Sequence, residues 1–419
     1  GRAAESRIRA SLVDAPGWPE GWTLLHEFLG ARSGRHVLTP DCRAAAARAR
    51  AAGPDDRHVH RMLGILAFEA GQSDRAAFHL GQCMRADRSP QTAWLYCRAL
   101  LSMSARPWIA RFARPMRRSP VLRGTVLVAL ACAAGMRERD SAAVALLTHA
   151  RRHAANWLPS GTMSVPTAAE LVAARQIGRK ELCDRLGLRL EVAKAPALEA
   201  ADGPGAVQMV SGDPRYLRRF LGGYAASLRG SAPGMPLHVH VIGPPDPALM
   251  AEVIATADAV TVDRSAVAMD RSYFTVSRFL WLPDVAALWR RAVLVTDVDA
   301  QVAGDPRPVL QALSPHDVAC RLTDHTLPWE SAQVTALHLP CTDGGRAFAE
   351  RYAAALAVRL LDGPLPYYSD QAVVWALSRR TAYGDGSTAF RLADLPLSPW
   401  LRPANQSGIA GKSRELSET

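Results

Sequence analysis

The 419-residue chain is long enough for two or three domains and a large core. Its 48% apolar content and mean hydropathy of -0.04 are those of a soluble globular protein, and its most apolar run, Gly124–Met136, is too short to cross a bilayer. The net charge of +11 is unevenly placed: residues 1–200 carry 30 of the 50 basic side chains and only 17 of the 39 acidic ones, so the whole basic excess belongs to the N-terminal half.

Seven cysteines, an odd number without C-x-x-C spacing, argue against a disulfide framework or zinc site and predict a reducing cytosol. No secretory signal is read, and a leader before Gly1 stays open because the sequence does not begin with methionine.

Residues 1–195 read as all-helical. Trp22, Leu25 and Leu29, then Met62, Leu63, Leu66 and Phe68, then Leu95, Ala99 and Leu100 recur at helical spacing between short Gly, Pro and Asp breaks. The segment His60–Pro90 resembles a tetratricopeptide repeat, with Leu63-Gly64, Gly71, Ala76 and Leu80 at the offsets of that helix–turn–helix unit. Small Gly64 and Ala76 let paired helices approach closely. Trp94, Gly135 with Ala142-Ala143, and Trp22–Leu25 hint at further hairpins, and such arrays bind partners on a concave face. Arg88–Arg137 carries nine arginines and no acidic residue, interleaved with Trp94, Tyr96, Trp108 and Phe112. An anionic acceptor is the expected partner: an acidic protein segment, a phosphorylated glycan lipid or a membrane surface touched peripherally. No base-reading motif accompanies the patch, so nucleic acid is not expected.

Pro196–Gly205 is the linker, and residues 206–419 form a second domain of strand–helix alternation. Strands are predicted at Val207–Val210, Leu237–Ile242, Ala259–Val262 and Ala292–Val295, and helices over 216–228, 247–255 and 276–288. This pattern predicts a mostly parallel sheet between helices. Further strands lie near Val318–Leu322 and Val334–Leu339, further helices near Arg346–Leu361 and Asp370–Ser378, and the tail from Ser387 is irregular.

Asp297-Val298-Asp299 ends the apolar strand Ala292–Val295, which has the composition of a strand buried on both faces. Two carboxylates this close repel, and a hard divalent cation, Mg²⁺ or Mn²⁺, is the natural compensation; such ions partner phosphate oxygens. Four other pieces accompany the pair. Ser211-Gly212-Asp213 ends the first strand, with Tyr216 three residues on. Arg278 lies just before the central strand. Ser369-Asp370-Gln371 opens a helix, where Ser369 is an N-cap candidate. Gly408 and Gly411 precede Lys412, the only lysine after Lys194, in a loop suited to phosphates.

In this order the pieces resemble the GT-A glycosyltransferases, most nearly the family that includes glycogenin and bacterial lipopolysaccharide galactosyltransferases, over about Val207–Leu416. The resemblance implies a Rossmann-like GT-A domain of mostly parallel sheet behind a tetratricopeptide-like helical domain. It further implies a cytoplasmic, bacterial-type enzyme moving a sugar from a nucleotide-diphosphate donor, UDP-linked first of all, with Mn²⁺ or Mg²⁺. Asp297 and Asp299 would hold the metal; Ser211, Asp213 and Tyr216 would meet the base and ribose. Arg278 would orient a carboxylate or clamp phosphate. Asp370 and Gln371 would contact donor sugar hydroxyls, and Gly411 and Lys412 would close over the diphosphate. Where the family often supplies a histidine as third metal ligand, this chain has Asn405, Gln406 and Ser407, and that ligand stays open. Retention of anomeric configuration follows from the resemblance alone. The acceptor-side base is open among Asp324, Asp343 and other acids; His238 and His240 are expected to pack in the sheet, and Trp329-Glu330 to line the sugar pocket or cap the core.

Two rival readings stand beside this one. The first is a helical-repeat interaction protein with a degenerate transferase domain. The second is a haloacid-dehalogenase-type phosphotransferase, against which Gln301 counts: that motif wants Thr or Val there.

Overall fold

The computed structural model describes residues 2–32, 40–86, 88–103, 109, 116, 118–153, 158, 160–197, 205–266, 271–323, 327–366, 368–379 and 390–403. Contacts divide it into two compact units. One holds Gly1–Arg137 and Ala145–Pro159, the other Glu138–Val144 and Ser160–Gln406.

The first unit is helical: α1 (Arg2–Asp14), α2 (Pro19–Arg32), α3 (Pro40–Ala52), α4 (Arg57–Glu69), α5 (Ser73–Ala86), α6 (Pro90–Ser102) and α7 (Arg123–Gly135), with α8 (Asp140–Arg152) at the division. The apolar spacing read above becomes its core, with Trp22, Leu25, Leu29 and Met62 buried together. Asp56 starts α4 by accepting from the amides of His58 and Val59, and Gly71 turns the chain into α5 at φ +72. At the α4–α5 crossing a Cβ on Gly64 would stand 2.6 Å from Leu80 Cγ and 3.3 Å from its backbone nitrogen. Gly64→Ala is therefore expected to lower stability by up to about 2 kcal/mol, because overpacking of about 1–3 kcal/mol is offset by only ~1 kcal/mol gained in helix propensity. Urea unfolding measures this; a stabilised variant would show that the helices have room to separate.

The apolar run from Gly124 is α7, buried along nearly its whole length. Among the described residues no helix is long and apolar enough to cross a membrane. Of the basic stretch, Arg88, Arg118 and Arg137 are exposed. Trp94 is buried, which corrects its reading as stacking surface: it packs inward at a helical core position, and Arg98 instead lies over Phe68 at 4.7 Å. Arg111, Arg114, Arg117, Trp108 and Phe112 lie outside the described residues.

The second unit begins before the expected linker. Its first helices are α9 (Ser160–Ser164), α10 (Ala168–Ile177) and α11 (Arg179–Leu186). Ala174, Leu182 and Cys183 join the core of the sheet, because helical periodicity marks a buried face without saying which core it serves. Leu190–Lys194, read as helical, is a strand, β1. Its short run, with no fully buried residue, suits the sheet edge it occupies, and Lys194 closes it by donating to the carbonyls of Ile254 and Ala257. Of the expected linker, residues 198–204 lie outside the described residues.

The remaining strands are β2 (Ala206–Gly212), β3 (Leu237–Ile242), β4 (Ala259–Asp263), β5 (Ala292–Asp297), β6 (Ala300–Val302), β7 (Val318–Leu322), β8 (Ala332–Leu339), β9 (Leu392–Asp394) and β10 (Leu401–Pro403). The helices are α12 (Pro214–Ser231), α13 (Pro247–Thr256), α14 (Arg271–Leu280), α15 (Leu282–Trp289), α16 (Arg307–Ala312), α17 (Asp343–Leu360) and α18 (Ser369–Leu377). One eight-stranded sheet runs β1-β4-β3-β2-β5-β8-β7-β9. Its centre, β4-β3-β2-β5, is parallel, while β8 runs antiparallel to β5 and to β7. The single helix expected over 276–288 breaks at Trp281, where Pro283 opens α15. The tail is not wholly irregular: β9 joins β7, and β10 pairs with β6.

Successive strands β2, β3 and β4 step outward in one direction, and β5 returns to the other side of β2. The sheet thus has a topological switch point between β2 and β5, the crevice where open α/β sheets bind ligands outside the strand carboxyl ends.

Candidate functional site

Ser211, near the end of β2, lies in register with Asp297, the last residue of β5. The two expected nucleotide and metal positions therefore meet at the switch point. Side chains alternate along β5, so Val293, Val295 and Asp297 share the face covered by α14, α15 and α17, whereas Leu294 and Thr296 face α12.

Asp297 accepts a 2.6 Å hydrogen bond from Arg278 Nη1 of α14. Arg278 is buried, donates through Nη2 to the Val334 carbonyl at 3.4 Å, and has no partner for Nε. Burial alone pulls its pKa down, but the charge and hydrogen bond of Asp297, with Asp370 behind them, raise it above the ordinary arginine value. Asp299 takes a 2.6 Å bond from the Tyr216 hydroxyl on α12, across the sheet from Arg278. Tyr216 also packs on Phe220, ring centroids 4.7 Å apart. The aspartate pair is thus braced from both layers of helices.

Asp213 caps α12, accepting from the amides of Arg215 and Tyr216 at 2.8 and 2.9 Å. That cap fixes the first turn of α12 and so aims Tyr216 at Asp299. Asp370 is buried at the start of α18, its carboxyl pushed up to about 6 by burial, with Arg278 opposing the rise and Asp297 adding to it. Gln371 beside it is half-buried, and its backbone N–H donates to the Asp370 carboxylate at 2.9 Å. Ser369 is not the cap: its hydroxyl donates to the Pro366 carbonyl at 2.6 Å, and Tyr368, at φ +72, stands at the cap position without a side-chain capping bond. The left-handed turn there points Ser369 backward.

Sequence reasoning missed Asp263, at the carboxyl end of β4. It accepts from the Tyr273 hydroxyl at 2.8 Å and the Ser277 hydroxyl at 2.6 Å, and its pKa is lowered: burial opposes, while His240 and three hydroxyl bonds prevail. These bonds anchor α14 one residue from Arg278. A carboxylate ending an apolar strand was the available signal, the same one that marked Asp297. Tyr352 was also missed; buried in α17, it donates to the Asp370 backbone carbonyl at 3.0 Å.

His238 and His240 are fully buried on one face of β3, as expected. Each bonds the Thr261 hydroxyl, and burial lowers them to about 3 and about 4, so both are neutral. Trp329 is completely buried, edge-on to Trp375 at 6.2 Å, and so is a core cap rather than a pocket wall. Asp343 is removed from the candidates for acceptor-side base. It follows β8, whose Leu339 pairs with Val293, and so lies at the opposite edge of the sheet from Asp297. Asp324, Asn405, Gly411 and Lys412 lie outside the described residues. Pro403, the last described residue, pairs with Ala300, next to Asp299.

Two carboxylates one residue apart fit a Mg²⁺ or Mn²⁺ that completes its shell with waters and phosphate oxygens; they do not form an all-protein cage. Among the described residues no group of three or more possible metal ligands occurs.

The fold and site together define a doubly wound α/β protein with an acidic, arginine-braced crevice at its switch point. No family model matches the chain, and no curated relative does. Among solved structures it is similar to the WbbM bifunctional glycosyltransferase in its apo form, with a TM-score of 0.32 and 15% identity over 47% of this chain and 40% of that one. It is also similar to a mutant O-GlcNAc transferase of Thermobaculum terrenum, with a TM-score of 0.23 and 17% identity over 64% of this chain and 44% of that one. The matches span less than half the length of either glycosyltransferase, and at these scores neither bears on the site.

Proposed function

We propose that the chain is a metal-dependent glycosyltransferase that moves a sugar from a nucleoside-diphosphate donor, UDP-linked first of all, to an acceptor recruited by the helical unit. The observation that carries this reading is the aspartate pair at the carboxyl end of β5, at the switch point, held by Arg278 from one helical layer and Tyr216 from the other. Asp297 and Asp299 hold the divalent ion, which offsets charge on the departing nucleoside diphosphate. Arg278 and Tyr216 keep the two carboxylates apart and oriented. Ser211 and Asp213, at the end of β2, border the place of the base and ribose. Asp370, once ionised, accepts from a donor sugar hydroxyl, and Gln371 both donates and accepts. Lys412 with Gly411 closes on the diphosphate, and the arginines of 88–137 steer an anionic acceptor. Retention of configuration remains part of the proposal on the strength of the resemblance alone.

The second reading, an interaction protein with a degenerate transferase domain, is favoured by one observation: both aspartates already hold a protein partner. A panel of nucleotide sugars with Mn²⁺, assayed for released nucleoside diphosphate, separates the two. Release that requires the metal and one class of donor is the expected result. No release from any donor, with or without acceptor extract, leaves the interaction reading.

A further inference from the structure

A cavity of about 560 Å³ opens at the other edge of the sheet, at the amino ends of β2 and β5 and beneath α16. Its volume lies within the roughly 300–1,000 Å³ range of small-molecule sites. The six residues of β5, rising about 3.3 Å each, separate it from Asp297 by roughly 17 Å. Ala206, Ala292, Leu310 and Pro340 give it apolar walls. Arg290, Arg291 and Arg307 line it as well. Arg307 also donates to Asp305 at 2.8 Å.

Two further observations point to an occupant. His338 lines the cavity at 1% exposure, and its Nδ1 has no hydrogen-bond partner. Burial lowers its pKa to about 4, so at neutral pH it is an uncharged ring with one donor and one acceptor. A buried polar atom left unpaired is costly, and a ligand group would satisfy it. Arg290 adopts φ +49, a left-handed conformation that glycine or asparagine would hold with less strain; with arginine there, the turn that ends α15 carries a guanidinium to the cavity.

We infer that this cavity is a second ligand site, separate from the switch-point crevice, for a small organic oxyanion: a phosphate or carboxylate head on an apolar body. The head pairs with Arg290 and Arg291 and reaches His338, and the body lies against Leu310 and the alanines. Guanidinium groups recognise either head through paired N–H donors.

Cys341 makes the site testable, because it lines the cavity and is exposed, whereas the other six cysteines are buried. N-ethylmaleimide should therefore alkylate the native full chain at Cys341 first, and mass spectrometry follows the rate. Phenyl phosphate or benzoate is expected to slow that alkylation at least fivefold and saturably; whichever protects at lower concentration identifies the head group. The protection should be lost in Arg291→Gln and in His338→Leu and retained in Asp299→Asn, whose lesion lies at the other edge. No protection by either probe, or protection unchanged in both cavity variants, overturns the inference. Equal protection by inorganic phosphate overturns the apolar body. Arg291→Gln alters a rim residue, so the test stands even where His338→Leu fails to fold.

Discussion

Asp299→Asn is expected to reduce metal-dependent donor turnover at least about a hundredfold while leaving the melting temperature nearly unchanged. Losing even an outer-shell partner of a metal typically costs about 10–100-fold in affinity or activity, so losing a ligand costs no less. Stability survives because the Tyr216 hydroxyl, which now donates to Asp299 at 2.6 Å, finds an amide oxygen in the same place. Asp297→Asn is expected to lose turnover equally but to fall in stability by about 2 kcal/mol. Its partner Arg278 has a side chain only 8% exposed and would lose its hydrogen-bonded counter-ion, leaving only Asp370 to offset its buried charge. Breaking a buried pair typically costs about 3–5 kcal/mol, and the 36% exposure of Asp297 reduces that here. Melting curves with and without Mn²⁺ and UDP read both effects, because ligand stabilisation follows binding. Full turnover in Asp299→Asn would remove the metal from the assignment. Equal loss of stability in the two variants would remove the Arg278–Asp297 pair from the account of the fold.

Asp370→Asn has the second large effect, and its sign depends on pH. The folded carboxyl titrates near 6 against an ordinary 3.8, raised by burial with Arg278 opposing. The folded state therefore holds the proton more tightly than the unfolded state. Its contribution to stability is fully present below about pH 4 and is lost as pH rises through about 6. At about 1.4 kcal/mol per pKa unit, the wild type gives up on the order of 2–3 kcal/mol across that window. Asp370→Asn does not, so its stability relative to wild type should rise by that amount between pH 4 and pH 7. Turnover moves the other way, falling about tenfold or more with the loss of a charged acceptor worth about 1.5–3 kcal/mol. Wild-type turnover should also climb through pH 6 as Asp370 ionises. Denaturant unfolding of both proteins at pH 4 and pH 7 checks the first claim, and a stability difference that ignores pH would refute it.

These tests depend on proton and charge partners that lie far apart in the chain. Arg278 and Asp297 are separated by 19 residues, Tyr216 and Asp299 by 83. The sequence marks each residue as chemically able, since carboxylates at strand ends and basic or aromatic side chains on neighbouring helices suit phosphate and metal chemistry. It does not say which oxygen faces which donor. Ser369 illustrates the difference: it fits a local cap pattern, yet a left-handed Tyr368 sends its hydroxyl to Pro366 instead.

What the sequence determined alone is what local periodicity and composition carry. Buried β-branched runs specified β2 to β5 within a residue or two, helical spacing specified α12 and the core of α4 and α5, and Asp297-Val298-Asp299 was legible as a strand-end acidic pair. Tertiary structure alone decided which elements share a core. α10, α11 and β1 read as part of a helical domain, but they pack with the sheet, because an apolar face records burial and not the identity of what buries it. It also decided strand order. Return of β5 to the far side of β2 creates the switch point, and hydrogen bonds between strands distant in sequence set that return with no local signature. The same ordering put Asp343 at the wrong edge, and made a second cavity from Arg290, Leu310 and His338, which no spacing in the chain connects.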